Sequence, residues 1–170
     1  MAQRLIASLF ATATILSAFS AAPAAAAPEK PDTAKECLAM ALYHEARGEP
    51  IEGQVAVGNV ILNRVDSKYH PDTVCGVVYK NDHMRNRCQF SFACDGVPDR
   101  PKELDAWDKK LAIAEALLEC DDECREAKRE SGGLESSTHY HATYVSPSWA
   151  RKLEKKGKVG NHIFYYTATL

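Results

Sequence analysis

The stretch that decides the fold is Tyr43-His44-Glu45-Ala46-Arg47-Gly48-Glu49-Pro50, followed by IEGQVAVGNVILNRV over residues 51–65. Its first part ends an apolar repeat that begins upstream, in which Leu38, Leu42 and Ala46 recur every fourth residue with Ala39 and Ala41 beside them. That period predicts a helix over residues 35–49. Gly48 and Pro50 end it, because glycine suits the terminating turn and proline cannot continue the ladder. A second helix is predicted over residues 52–65. Val55, Val57, Ile61, Leu62 and Val65 spread almost all round it, so it is expected to be the most buried helix.

A third helical pattern lies at residues 103–118, with Leu104, Trp107, Leu111, Ala114 and Leu118 on one face and Trp107 read as core. Residues 70–99 are rich in Cys, Asn, Asp and aromatics and show little periodicity, which is common in functional segments. This segment opens with HPDTVCGVVYK, a turn leading into a short helix or strand. Residues 119–135 are polar and expected to be exposed. THYHATYV (138–145) and NHIFYY (161–166) alternate, predicting short strands or extended loops, and a helix start is expected near Pro147. There is no internal repeat. The expected fold is a single α+β domain, mainly helical, with a small β or extended component.

The chain has 170 residues, 45% hydrophobic and 26% charged, a balance that excludes wholesale disorder and suits one domain. A net charge of -2, from 21 Lys+Arg against 23 Asp+Glu, disfavours a general nucleic-acid binder. Arg4, the apolar run at 5–19 and the small residues SAAPAAAA at 20–27 form a signal-peptide pattern over residues 1–26, with cleavage near Ala26. An uncleaved membrane anchor is the competing reading, but the run is short for a span, and no later apolar run approaches ~20 residues. Residues 27–35 read as a flexible, Pro-containing leader and 36–170 as the folded domain. The expected location is the periplasm or the outside.

Six cysteines follow the signal peptide, an even number that in an oxidising compartment predicts three disulfides. Six allow 15 connectivities. Local spacing favours Cys88 with Cys94 and Cys120 with Cys124, which leaves Cys37 with Cys75. A structural zinc site is the alternative, but no pair of CxxC knuckles is present.

Glu45 falls in the last turn of the first predicted helix. The carbonyl dipole there disfavours a carboxylate, and apolar neighbours add to the effect, so its pKa is expected to rise. A carboxyl that stays protonated near neutral pH is what a general acid requires to protonate a glycosidic oxygen. Arg47 and Glu49 are expected to pair and hold the turn. For an arbitrary helix-end glutamate the ordinary reading is a solvated charge; here it is weakened by what surrounds Glu45.

YHEARGEPIEGQVAVGNVILNRV resembles the opening of the SleB/CwlJ-like cell-wall hydrolase family, whose signature is an aromatic–x–E-A-R-G-E run followed by an E-G-Q-x-A-V helix. The likeness continues through YHPDTVCGVVY, RCQFSFACDG and GNHIFYY, over roughly residues 36–166. The resemblance implies a lysozyme-like domain that cuts the glycan strands of peptidoglycan, without cofactor, with Glu45 as the catalytic glutamate. The cysteines and the Q-F-S-F-x-C-D-G word are similar to Gram-negative and phage forms, so a role in spore germination is not implied. Two-carboxylate hydrolysis requires a second Asp or Glu across the sugar. Glu49 and, better, Asp95 are the candidates. A lytic transglycosylase route with one glutamate removes the requirement.

In Cys88–Gly96, Phe90 and Phe92 alternate with Gln89 and Ser91, giving an aromatic face and a polar one. Gln89, Ser91 and Asp95 are proposed to line a sugar cleft, with a Cys88–Cys94 bridge holding the loop; a core strand is the competing reading. In Thr138-His139-Tyr140-His141, an H-x-H pair puts both imidazoles on one face of a strand. His139, Tyr140 and His141 are expected to touch substrate. The alternatives are structural histidines, or a zinc-dependent amidase or peptidase using His139, His141 and His162. Against zinc, His44-Glu45 does not continue as H-E-x-x-H. Asn63 and Arg64 either brace the first helix or touch substrate. A non-catalytic peptidoglycan-binding module is the remaining alternative, and an envelope or secretion-machinery partner stays open.

Overall fold

The computed structural model describes residues 30–85 and 87–168; the expected signal peptide lies outside them. Five α-helices, three short 3-10 turns and three strands follow in the order α1 (Ala34–Ala46), α2 (Ile51–Val65), α3 (Val74–Val78), α4 (Leu104–Leu118), α5 (Asp122–Glu130), β1 (His139–Ala142), β2 (Glu154–Val159) and β3 (His162–Tyr166). The fold is mainly helical with a small sheet. No described helix is long and apolar enough to cross a membrane.

α1 starts at Thr33, whose hydroxyl oxygen accepts from the Glu36 amide at 3.2 Å while its O–H donates to the Glu36 carboxylate at 2.8 Å. This Thr-x-x-Glu pair satisfies the first turn. The helix stops at Ala46, earlier than the spacing predicts, where the Glu49 amide bonds back to the Ala46 carbonyl. α2 follows directly from Pro50. It is the most buried helix, as expected, with eleven of fifteen residues buried against eight of thirteen in α1. Leu38, Leu42, Val57, Val60, Ile61, Val77 and Val78 are sealed from solvent and form the centre of the core. Gly58 permits a close approach of α4 to α2: a Cβ there would lie 2.4 Å from Leu117 Cδ1.

On α4 the buried stripe is Trp107, Lys110, Ala114 and Leu117, rotated by about one position from the expected one. Trp107 is core as expected, but Leu104 is 47% exposed and Lys110 takes a core position. A buried lysine is tolerated because its ammonium donates to the Gln54 side-chain oxygen on α2. α5 was not legible, because it buries no residue and so carries no apolar period. Asp121 caps it by accepting from the Cys124 amide at 2.9 Å, and Arg125 and Arg129 tie it to Asp66, just beyond α2, at 3.3 and 2.5 Å.

The sheet is antiparallel in the order β1-β3-β2, with Tyr140 opposite Phe164 and Val159 opposite His162. β1 and β3 match the expected alternating segments. β2, a charged edge strand interrupted between Lys155 and Gly157, does not look apolar enough to be read from sequence. α2 anchors the sheet. Asn63 Nδ2 donates to the carbonyls of Glu135 and Ser137 at 2.7 and 2.9 Å, and Arg64 Nε to the carbonyl of Thr138 at 2.9 Å. The helix start near Pro147 is a 3-10 turn, Ser148–Lys152.

The disulfides are Cys37–Cys75, Cys88–Cys94 and Cys120–Cys124, the pairing that local spacing favours. Arg47 and Glu49 do not pair. Arg47 Nε meets Glu103 at 3.1 Å, and Glu49 accepts from the Asn161 backbone amide at 2.8 Å and its side-chain amide at 3.2 Å. The β2–β3 turn lies against Glu49, at Gly160, whose φ is +54° and where a Cβ would fall 1.9 Å from Glu49 Oε2. The two residues are neighbours in sequence, but each has a better partner on another element.

Candidate active site

A cleft of about 450 Å³ opens where the C-terminal turn of α1, the end of α2, the Cys88–Cys94 loop and β1 meet. Glu45 lines it from α1, Arg64 from α2, and Tyr140 and His141 from β1. Glu45 Oε2 accepts a hydrogen bond from the Tyr140 hydroxyl at 3.1 Å. Burial raises the Glu45 pKa above its usual 4.5; the Tyr140 bond and the nearby His44 and Arg64 oppose this without cancelling it. The expected rise is therefore present, with loss of solvation as its main cause. Burial and the facing Glu45 carboxylate in turn push the Tyr140 phenol well above its ordinary value, so it stays a neutral donor.

Arg64 is only 5% exposed and is held in register by its bond to Thr138. It touches the cleft and also braces the sheet, so both roles suggested by its sequence position are met in one side chain. His44 Nε2 meets the Asp99 carbonyl at 2.9 Å, and its ring stacks on Phe92 with centroids 4.4 Å apart. This fastens the loop after the Cys88–Cys94 bridge to the helix that carries Glu45.

Gln89 and Ser91 reach the cleft, while Phe92 turns into the core. Their backbone is not the alternative core strand: residues 91–94 form a 3-10 turn after an extended Phe90. Phe90 is buried but also contributes to the cleft wall. Asp95 does not line the cleft. It is exposed and accepts from the Val97 amide at 2.8 Å, closing its own turn. Among the described residues lining the cleft, Glu45 is the only carboxylate.

The histidines separate. His141 lines the cleft, but its Nδ1 meets the Ala142 carbonyl at 2.9 Å and its Nε2 the Tyr165 hydroxyl at 3.0 Å. His139 lies outside the lining, against Thr138 Oγ1 at 3.0 Å and the Trp149 ring. Burial, helped by Arg64 and His70, pushes its pKa down to about 4, so it is neutral at neutral pH. His162 lines the cleft beside the Tyr140 ring, 5.0 Å between centroids, with its Nδ1 buried and unpartnered. These three imidazoles do not converge. Among the described residues no group of three His, Cys, Asp or Glu is placed to hold a metal ion.

Sequence reasoning missed Tyr144, which is 86% exposed at the cleft mouth, and Val145 beside it. Alternation in THYHATYV suggested a longer strand. The strand ends at Ala142 because the Val145 amide turns back to the Ala142 carbonyl at 3.0 Å, which turns Tyr144 outward.

The model of the cell wall hydrolase family matches residues 48–165; that span begins just after Glu45. Spore cortex-lytic enzymes of Oceanobacillus iheyensis and Halalkalibacterium halodurans are each 32% identical, over 134 and 130 residues, both covering 76% of this chain. The chain spans only 40% and 33% of those curated relatives. Among solved structures, the catalytic domain of the germination-specific lytic transglycosylase SleB from Bacillus anthracis aligns with a TM-score of 0.56 and 27% identity, covering 82% of this chain and 99% of that domain. The catalytic domain of Bacillus cereus SleB gives 0.54 and 29%, covering 81% and 96%. The chain belongs to the SleB-like cell wall hydrolase family.

Proposed function

We propose that the cleft cuts the glycan strands of peptidoglycan at the β-1,4 bond after N-acetylmuramic acid, with Glu45 as general acid. The observation that carries this is a carboxylate, single among the described residues of the cleft, whose burial favours its protonated form and whose oxygen is oriented by Tyr140. Gln89 and Ser91 offer an amide and a hydroxyl to the N-acetyl groups, and Tyr140 and His141 line the sugar path. Asp95 and His139 are assigned no substrate contact.

The lytic transglycosylase route fits this inventory better than hydrolysis. Two-carboxylate hydrolysis requires a partner ~5–9 Å from the acid. Glu49 is committed to Asn161, and Asp95 is outside the cleft. With one carboxyl, Glu45 gives its proton to the glycosidic oxygen as the C1–O bond breaks. The resulting carboxylate then takes the proton of the muramoyl C6 hydroxyl as that oxygen bonds to C1, closing a 1,6-anhydro ring without water. The Tyr140 bond stabilises the carboxylate between the two steps. Residues 1–26, read as a signal peptide, deliver the enzyme to the periplasm or beyond, where the three disulfides form.

The test is mass spectrometry of sacculi digested by the disulfide-bonded protein. Anhydro-ended muropeptides support the proposal, reducing ends move it to hydrolysis, and free stem peptides without glycan scission overturn it.

A further inference from the structure

A second groove, about 630 Å³, lies on the other side of the α1 terminus, between α4 and the first turns of α2. Its apolar lining includes Ile51, Ala106 and Ile113, and Ile51 is 59% exposed there. Lys110 lines the same groove although it is only 3% exposed. A buried cation normally has a counter-ion. Lys110 has none among the described residues; its ammonium donates to Gln54 Oε1. Gln54 is itself locked, because its Nε2 donates to the Glu49 carbonyl at 2.6 Å, which aims its oxygen at the lysine.

The other charges in the groove divide in two. Glu103 is occupied by Arg47 at 3.1 Å and by the Tyr43 hydroxyl at 3.4 Å. Asp105 and Lys109 have no side-chain partner among the described residues. The groove therefore presents a cationic end at Lys110 and Lys109, a free carboxylate at Asp105, and methyl groups along its length. A ligand complementary to it carries a carboxylate, an amine and short aliphatic groups.

We propose that this groove binds the stem peptide of peptidoglycan, with a carboxylate of its diamino-acid residue at Lys110 and the free amine of that residue at Asp105. This rests on the reading of the neighbouring cleft as a peptidoglycan-cutting site. The two places are within reach of one substrate. Arg47 borders the groove and follows Glu45 by two residues, and a five-residue stem extends to roughly 17 Å. Stem alanine methyls lie on Ile51 and Ile113, and the bound carboxylate supplies the counter-charge that Lys110 lacks.

The direct test uses the free tetrapeptide stem and the disulfide-bonded protein. Titration followed by NMR is expected to shift the Ile51 and Ile113 methyl signals, and the shifts are expected to vanish in Lys110→Met. Ile51→Glu, at an exposed position that the fold does not require, is expected to abolish the Ile113 shift as well. Absence of shifts in the wild type overturns the inference, and so does an unchanged response in both variants. The kinetic arm compares soluble glycan strands bearing stems with strands stripped of them by an amidase. Lys110→Met is expected to raise KM roughly tenfold on the first, the effect of losing one charge-assisted contact, with kcat unchanged and no effect on the second. An equal loss on both substrates overturns the inference. If the wild type binds the stem by NMR but cuts neither strand, the proposed activity fails and the binding site stands.

Discussion

The Tyr140 hydroxyl donates to Glu45 Oε2 at 3.1 Å, joining the end of α1 to the middle of β1 across 95 residues of chain. The bond works against the dominant effect on Glu45. Burial raises the carboxyl pKa, whereas a donor to the charged form lowers it. In the proposed mechanism Tyr140 thus keeps the acid able to ionise after it has given up its proton. Replacing Tyr140 with Phe removes the donor and leaves the burial, so the Glu45 pKa rises further. Because the active form in the proposed mechanism is the protonated acid, the alkaline limb of the kcat/KM profile is expected to move to higher pH, while kcat falls as the carboxylate formed in the first step loses its support. A pH–rate profile on soluble glycan strands checks this. An unchanged alkaline limb would sink the assignment.

Glu45→Gln is expected to lower turnover by at least ~100-fold, the usual scale of general acid catalysis. It is also expected to stabilise the fold at neutral pH. The folded pKa of Glu45 is raised above 4.5. Below 4.5 the carboxyl is neutral in both folded and unfolded chains, and wild type and variant should be equally stable. As pH climbs through the folded pKa, the wild type must ionise a half-buried carboxyl and loses stability that Gln keeps. Thermal melts of both proteins across pH should therefore diverge on the alkaline side only. Divergence at low pH would mean that Gln alters packing rather than charge.

Glu49 provides the contrast. It stands four residues from Glu45 and is, behind Asp95, a candidate second carboxylate from sequence, but it accepts two bonds from Asn161 and holds the β2–β3 turn. Glu49→Gln retains an acceptor for the backbone amide and is expected to keep activity within a few-fold. Glu49→Ala leaves both donors to solvent and should cost about 1 kcal/mol, seen as a lower denaturant midpoint, with kcat on soluble strands largely retained. A collapse of kcat in Glu49→Gln at unchanged stability would restore the two-carboxylate route.

What was legible follows from where the information lies. α1, α2 and α4 announce themselves because each buries an apolar stripe, and the cysteines pair locally because their spacing leaves little choice. α5 and β2 were invisible for the opposite reason. α5 buries no residue and is held by Asp66 and a disulfide, while β2 is a charged edge strand. At the site, Glu45, Gln89 and Ser91 could be named from motif and alternation. The partnership with Tyr140, the exposure of Tyr144 and the burial of Lys110 all depend on which segments meet in space, and no local spacing encodes that. The histidine pair shows the same limit. His139 and His141 share a strand parity, but only His141 reaches the cleft, and its two nitrogens are already engaged.

The disulfides should divide between stability and function according to what each one closes. Cys37–Cys75 links α1 to α3 across 38 residues, with Cys37 sealed in the core, whereas Cys88–Cys94 closes six. By loop-closure entropy, removing the first costs about 4 kcal/mol and removing the second about 2. The small loop, however, carries Gln89 and Ser91 into the cleft and is tied to the Glu45 helix through Phe92 and His44. Cys88→Ser with Cys94→Ser should therefore be the milder change in denaturant melts and the harsher one in kcat/KM, by between about 10- and 100-fold, since small displacements of positioning groups are amplified in rate. Cys37→Ala with Cys75→Ala should show the reverse, with a large loss of stability and near-normal turnover in whatever fraction remains folded. Equal losses of stability for the two pairs would contradict the loop-closure argument. Full activity without the Cys88–Cys94 bridge would remove Gln89 and Ser91 from the proposed substrate contacts.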